Sequence, residues 1–447
     1  MHNRKLIILT LLLIGGTLFS QPKPNAKEIE SRTYDLFVKA RWDELINACN
    51  NSLDAGIDFY YLRMRLGTAY YEKKNYMSAS VQFESALEKT PSDPTAMEYL
   101  YFSYLFSGRN EDARALAGDM PLSLRKKLKI QTVNFLAGAY TEGGYTYNRS
   151  FDESKRNVLE GNPVIYNEQS ITKGTSYFNI SLMHNPGSRI TFFQAYNNIN
   201  IATAKQIKSG NNEAVFFDLN TKQNEYYLNC NISAGGGFSL LGAIHYINLN
   251  IEDVNVTFDP SNNPIYNKTS ANDNNFTAHL SIGKNTNHFR FYFNNSISYL
   301  NKAHQLQNGI TVVYFPLGNL NLYTISDIVL HSNKNPNSDF ISKGIYTQKA
   351  GLKLIKNLWF ESFYTFGEIY NYNEAGSFVV YNINDVIKNR FGVNLISPIS
   401  NKVELSLRYE YFIQETPRLI YSSYTDFSYK YYKNINHKLI GGIKWTF

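Results

Sequence analysis

Six charged residues toward one end of the chain have a spacing that could do electrostatic work: Arg390, Glu404, Arg408, Glu410, Lys438 and Lys444. Glu404, Arg408 and Glu410 are separated by even intervals, as are Lys438 and Lys444, so on extended backbone each set shares one face. If the last two segments pair antiparallel with Glu410 opposite Lys438, the same register sets Glu404 opposite Lys444. The turn before them brings Arg390 near Glu410, with Arg408 between the two glutamates. Two roles fit such an array. One is a charged wall that selects or guides polar solutes. The other is a ladder of salt bridges that stiffens a filled interior.

Other chemistry is sparse. The chain has no GxSxG, HExxH, phosphate loop or dinucleotide fingerprint. Its histidines (His184, His245, His279, His288, His304, His331, His437) show no ligand spacing. Asparagine- and aspartate-rich stretches, such as 259–263 and 272–275, lack the spacing of a calcium loop. Two cysteines, Cys49 and Cys230, supply neither a disulfide framework nor a cysteine-based zinc site. No catalytic residues, metal or cofactor are expected, and the protein is not expected to be an enzyme. The formal charge of +7 includes Arg4 and Lys5, and the remaining +5 is spread along the chain, which gives no nucleic-acid footprint.

The elements that must hold the charged array are strands. Aromatic residues make up 15% of the chain, with 35 Tyr and 29 Phe, yet only 18% is charged and mean hydropathy is −0.35. That balance suits long strands with one apolar and one polar face. From residue 131 onward the period is 2. Val403, Leu405, Leu407, Tyr409 and Tyr411 alternate with Glu404, Ser406, Arg408 and Glu410. Phe289, Phe291, Phe293, Ile297 and Tyr299 do the same against Arg290, Tyr292, Asn294, Ser296 and Ser298. About fourteen such segments are expected, with twelve or sixteen still open, because each crossing of a bilayer takes roughly 9–11 residues. They lie near 132–148, 175–185, 189–203, 223–234, 238–252, 275–285, 288–301, 306–316, 320–332, 341–356, 358–372, 388–399, 402–416 and 434–447. Tight turns (185–187, 235–236, 286–287, 317–319, 356–357, 400–401) alternate with mostly longer polar connections such as 149–174, 204–222, 253–274 and 373–387. Short periplasmic turns and longer outer loops are the asymmetry of a transmembrane barrel, which a soluble β-sandwich would not need. Tyr421, Tyr424, Tyr429, Tyr431 and Tyr432 are expected in the interfacial girdle, with stacking on sugars or simple extension of the strands above the membrane as the alternatives.

Upstream the period is helical. Residues 1–20 read as an export signal, a short basic start followed by the apolar run 6–19. In residues 21–130, Leu66, Gly67, Tyr70, Ala79, Phe83, Ala86 and Pro91 fall at the offsets of a tetratricopeptide repeat. Small residues let paired helices approach, Tyr70 and Phe83 fill the space between them, and Pro91 ends the second helix. A looser repeat follows (Leu100, Tyr104, Gly108, Ala113, Ala117), and a degenerate one precedes it around Trp42. The segment 122–130 reads as a capping helix. Its Arg125, Lys126, Lys127 and Lys129 form either a solvated face or a contact for anionic headgroups.

The fold class is therefore α+β multidomain: an N-terminal α-helical solenoid of this repeat type, then a C-terminal antiparallel transmembrane β-barrel. The boundaries are 1–20 signal, 21–130 repeats and 131–447 barrel. The final strand, with Trp445 and Phe447 on one face, resembles the signal by which outer-membrane barrels are recognised by their insertion machinery. The whole order resembles the exopolysaccharide-export porins and the smaller YaiO-type outer-membrane proteins. The export porins carry many repeats where this chain has a few. The resemblance implies a channel or export protein in the outer membrane. Its repeats would face the periplasm and dock a protein partner, and the transported species would be a glycan or a small polar solute. A non-conducting anchor and scaffold for an envelope assembly is the alternative.

Overall fold

The computed structural model describes residues 25–130, 135–156, 166–209, 213–261, 263–383, 385–421 and 426–447. The expected signal segment, the start of the expected barrel at 131–134 and Tyr424 lie outside the described residues.

Seven helices come first: α1 (Ala26–Val38), α2 (Trp42–Asp54), α3 (Tyr60–Glu72), α4 (Tyr76–Lys89), α5 (Pro94–Phe106), α6 (Asn110–Asp119) and α7 (Leu122–Lys127). Their starts are encoded locally. Asn75 accepts from the Ser78 amide at 3.0 Å, and Asp93 accepts from the Ala96 amide at 2.7 Å with Pro94 just inside α5. The helices stack as successive hairpins over an apolar core that includes Leu45, Leu62, Leu66 and Phe83. No helix among the described residues is long and apolar enough to cross a membrane.

A closed antiparallel barrel of fourteen strands follows. Its strands are β1 (Leu136–Asn148), β2 (Tyr166–His184), β3 (Ile190–Ser209), β4 (Val215–Gly235), β5 (Phe238–Phe258), β6 (Pro264–Asn285), β7 (Phe289–Leu300), β8 (Ala303–Tyr314), β9 (Leu322–Lys334), β10 (Ile341–Ile355), β11 (Leu358–Ile369), β14 (Val386–Pro398), β15 (Val403–Tyr421) and β16 (Phe427–Thr446). Between β11 and β14 lie two short strands, β12 (Tyr372–Glu374) and β13 (Val379–Tyr381), which pair only with each other. β1 pairs with β16 to close the cylinder. A short helix, α8 (Phe151–Arg156), follows β1, and its Ser154 donates to Asn434 of β16 at 2.8 Å. Near the same end, β15 reaches across to pair with β2 at Leu419 and Glu168.

The barrel is apolar outside and polar inside. Leu280 is 47% exposed while its neighbour Ser281 is buried, and on β7 Phe293 and Ile297 face out while Ser296 and Ser298 face in. Such a belt belongs in hydrocarbon, and closure leaves no unpaired strand edge in it. The molecule is an outer-membrane β-barrel with an N-terminal helical region, and lipid is its surroundings.

All fourteen strands lie where the alternation places them, but β2 to β6 run well past their expected outer ends. The stretches 204–209, 215–222, 253–258 and 264–274, read from sequence as loops, are paired strand. Outside the bilayer neither face needs to be apolar, so the alternation fades while the hydrogen-bond ladder continues. Tyr429 and Tyr431 sit on exposed β16 beyond a membrane crossing's length from Thr446. They extend a strand above the membrane instead of forming the girdle. An aromatic row crosses other strands: Tyr196, Tyr226, Tyr246, Phe276 and Tyr299 are successive cross-strand partners on the outer face of β3 to β7.

Candidate functional site: the barrel lumen and its inward hairpin

The connection between β11 and β14, expected as an outer loop, folds into the lumen. Its backbone turns inward at a register shift after Phe366, where Gly367 adopts φ +111°, and reverses at Ala375, Gly376 and Ser377, all with positive φ. Glycine suits the centre of that tip because side chains disfavour this conformation. The tip is held from one wall: Tyr227 donates to the Gly376 carbonyl at 3.1 Å, and His245 donates through Nδ1 to the Ser377 carbonyl at 2.7 Å. From another wall, Gln307 accepts from the Asn373 amide at 2.9 Å and donates to its carbonyl at 3.0 Å, much as a neighbouring strand would. Phe378 packs edge-on against Tyr227, with ring centres 5.1 Å apart.

The base of the hairpin is tied by Arg390. Its guanidinium grips both oxygens of Glu374, with the Nη1–Oε2 bond at 2.9 Å, and also donates to Tyr381 and Thr365. Arg390 is almost fully buried, so the pair is a desolvated, bidentate one, and removal of either member strands a charge.

The six expected charges divide into two groups. Glu410 lies opposite Lys438, and Glu404 opposite Lys444, the register that the spacing implied. Arg408 lies 3.4 Å from Glu410 and 3.5 Å from Glu142. Arg390 pairs with Glu374, a residue that the charge spacing did not single out. Glu404 and Lys444 stand at the lower rim and have no ion pair among the described residues; Lys444 is exposed. The array is thus a knot of the buried Arg390 and Glu410 with the half-buried Arg408 and Lys438, plus an open pair at the rim. Glu142 belongs to the knot as well, since Tyr177 donates to it at 2.8 Å and Tyr140 donates to its other oxygen. It sits on β1, far away in sequence, and only closure of the barrel brings it near Arg408.

The hairpin leaves spaces on its sides. One cavity of about 390 Å³ is lined by Asp327, Lys349, Glu361 and Asn394. A second, of about 180 Å³, lies against Glu142, Tyr177, Asn197 and Glu225. Arg390, Arg408, Glu410 and Lys438 border both. A third, of about 310 Å³, separates the hairpin tip from the α5–α6 turn, where Arg109 and Asp112 face Arg290. No cluster suited to a metal ion occurs among the described residues.

The helical region sits on the end of the barrel that carries the tight turns, which is the periplasmic end by the asymmetry of such barrels. The Met77 amide donates to the Gly318 carbonyl at 3.0 Å, and Asn319 donates to the Lys74 carbonyl at 2.9 Å. Ser78 donates to Asn287 at 2.7 Å, Ser233 donates to Asp112 at 2.7 Å, and Arg189 pairs with Asp119 at 2.8 Å. These contacts use the turns after β2, β4, β6 and β8. The turns after β10 and β14, beside Glu404 and Lys444, have no such contact among the described residues.

Of the seven positions singled out between 66 and 91, five lie buried between α3 and α4. Leu66, Ala79, Phe83 and Ala86 are fully buried. A Cβ on Gly67 would stand 2.7 Å from the Phe83 ring, so the closeness of α3 to α4 depends on that glycine. Tyr70 is half-buried and accepts from Asn50 at 3.3 Å, while Pro91 is exposed just after the end of α4. Arg109 lies buried over the Tyr104 ring at 4.1 Å and pairs with Glu84 and Asp112. Burial, reinforced by Glu84, holds the Tyr104 hydroxyl well above its ordinary pKa. Trp445 and Phe447 are exposed at the lower end of the lipid face.

No known protein family's sequence pattern matches the chain, and no curated protein matches it. Among solved structures it is similar to a Pseudomonas aeruginosa FadL homologue (10% identity, TM-score 0.42, 80% of this chain and 94% of that one). It is also similar to the P. putida toluene transporter TodX (8%, TM-score 0.45, 75% and 92%). A bacterial polysaccharide outer membrane secretin matches at 8%, TM-score 0.34, covering 70% and 99%. At such low values these likenesses carry neither fold nor function; the chain's own geometry does.

Proposed function

We propose that the chain forms a gated outer-membrane channel for small polar solutes, closed in this conformation by the hairpin 370–383. The observation that carries this reading is the hairpin itself. It crosses a polar lumen without filling it and leaves charged cavities on both sides, bordered by a knot of opposite charges. A permanent plug would be better served by close packing. The uncovered stretch of the periplasmic mouth, beside Glu404 and Lys444, supplies an entrance on that side. Residues 1–20 act as the export signal, 21–130 as a periplasmic module of tetratricopeptide type, and 131–447 as the channel. The module docks a periplasmic protein partner, and it contacts the barrel near the hairpin tip, where a docking event can be felt. No reaction is assigned to the chain.

The second reading, a closed anchor and scaffold, is favoured by one feature: the hairpin is bonded to the walls on several sides at once. Single-channel recording separates the two. Replacement of 371–382 by a short glycine–serine linker is expected to convert rare, small openings into a sustained conductance. A barrel that stays closed after this replacement overturns the channel reading. Charge reversal at Glu410 is then expected to change ion selectivity in the open barrel.

A further inference from the structure

Above the aromatic row, the outer face of β3 to β6 changes character within one step of the ladder. The next outward-facing rung consists of Asn198, Asn224, Asn248 and Asn274, which are successive cross-strand partners. The rung beyond it is Asn200, Lys222, Asn250 and Asn272. Seven of these eight residues are asparagine, a type depleted in strands, so ordinary sheet stability does not account for them. The side chains of the array also bind one another. Tyr196 donates to Asn224 Oδ1 at 2.8 Å, and Tyr246 donates to Asn274 Oδ1 at 2.8 Å. Asn198 and Asn248 donate to the same two oxygens, each at 2.9 Å, and Asn250 donates to Asn272 Oδ1 at 3.0 Å. Asn200 donates to Asn198 Oδ1 at 2.9 Å, so the carbonyl oxygens of Asn198, Asn224, Asn272 and Asn274 are used within the sheet, while those of Asn200, Asn248 and Asn250 accept from no partner among the described residues. The amide nitrogens of Asn224, Asn272 and Asn274 donate to no partner among the described residues, nor does the Lys222 ammonium, which is exposed.

The position of this asparagine-rich face is set by the barrel. A bilayer crossing takes roughly 9–11 residues, and Asn272 and Asn274 lie at or beyond that distance from the lower end of β6 at Asn285. The aromatic row directly below marks the end of the hydrocarbon, as tyrosines do at membrane interfaces. The rungs above it therefore stand at headgroup height on the side away from the helical region. Lys173 pairs there with Asp218 and Lys268 pairs with Glu252, while Lys222 lies in the field of the same Glu252 without an ion pair of its own among the described residues. The unused N–H and C=O groups of the asparagines, around an exposed ammonium, complement hydroxyls and a phosphate, the make-up of a phosphorylated sugar.

We propose that this face binds the phosphorylated sugar headgroup of an outer-leaflet glycolipid, with Lys222 on a phosphate and the asparagine amides on sugar and phosphate oxygens. The acyl chains then run down over Tyr196, Tyr226, Tyr246 and Phe276. The opposite wall offers no such array. Asn389 on β14 is exposed but accepts from Tyr364 at 2.8 Å as a single residue.

The test is native mass spectrometry of the full-length protein in detergent micelles, titrated with lipid A and, separately, with phosphatidylglycerol of matched acyl length. The wild type is expected to retain lipid A in preference to phosphatidylglycerol. The double variant Asn224→Leu/Asn274→Leu removes two amide contacts and is expected to weaken lipid A binding roughly tenfold. Lys222→Gln is expected to weaken it in the same direction, and Asn389→Leu is expected to leave it unchanged. Lys222 is exposed, so its variant carries the test if the double variant fails to insert. Equal retention of the two lipids by the wild type, or unchanged lipid A retention in Lys222→Gln, overturns the proposal.

Discussion

The helical region and the barrel bury opposite kinds of residue. Between α3 and α4 the fully buried side chains include Leu62, Leu66, Ala79 and Phe83, while Glu72, Glu88 and Lys89 are exposed. In the barrel, Asn179, His245 and Thr277 are buried, while Leu280, Phe293 and Ile443 are exposed. One chain thus obeys a single rule under two solvents. The helical region faces water and hides apolar surface from it. The barrel faces hydrocarbon and hides polar groups, which must then satisfy one another: Asn179 donates to Asn197 at 2.6 Å, and Asn197 donates to Glu225 at 2.7 Å. Polar satisfaction in the barrel does the organising that close apolar packing does in the helices.

Substitutions that exchange the two rules should break this contrast. The largest effect is expected from Glu374→Gln, which leaves Arg390 buried without its carboxylate at a cost of about 3–5 kcal/mol. It should read out as loosening of the hairpin, with raised conductance or faster proteolysis near 370–383. The double variant Glu374→Gln/Arg390→Met should recover much of the loss, and equal damage in single and double variants would show that the pair is not what ties the hairpin. In the helical region Phe83→Ala should cost about 3–5 kcal/mol. Limited proteolysis should then cut residues 60–90 while the barrel keeps its heat-dependent shift in gel mobility. Leu280→Arg, on the lipid face, should cost about 2–4 kcal/mol near mid-bilayer, whereas Ser281→Thr, one residue away and lumenal, should leave insertion yield unchanged.

The smallest effect concerns the one buried thiol of the helical core. Burial pushes Cys49 from the ordinary 9.0 up to about 12. Its folded pKa is raised, so its contribution to stability is intact below the unfolded value and is lost as pH rises from about 9 toward 12. Alkylation at pH 8–9 should therefore require local opening of the helices. Rapid labelling of native protein at that pH would mean that the α1–α3 core is looser than its apolar packing implies.

The difference between the two regions also explains what was readable. The helical repeat was legible because its small residues sit at fixed offsets: Gly67 and Ala79 mark a close helix pair by residue type and spacing alone. Strands such as β7 and β15 were legible because lipid on one side and polar lumen on the other force strict alternation. Above the membrane that force disappears, and 204–222 and 264–274 read as loops although they are largely strand. The inward hairpin was illegible for a related reason. Residues 370–383 are Asn-, Tyr- and Gly-containing like an outer loop, and nothing local states which side of the barrel wall a loop enters. Glu374 could have been suspected only as a carboxylate near Arg390 in sequence; its role depends on that inward turn. The cross-strand pairs Glu410–Lys438 and Glu404–Lys444 were legible because a single register fixes both.

By itself, then, the sequence determined the approximate strand number, the register of the last hairpin and the run of paired helices, because each follows from a local period read against its solvent. The tertiary structure alone decided which charges are buried together. Arg408 meets Glu142 only when the first strand closes on the last, and Arg390 meets Glu374 only when a loop turns inward. It also decided that asparagines from β3 to β6 form one continuous amide face. Local periodicity carries no information about such meetings, since they depend on closure and on loop direction, which many sequences with the same alternation leave free.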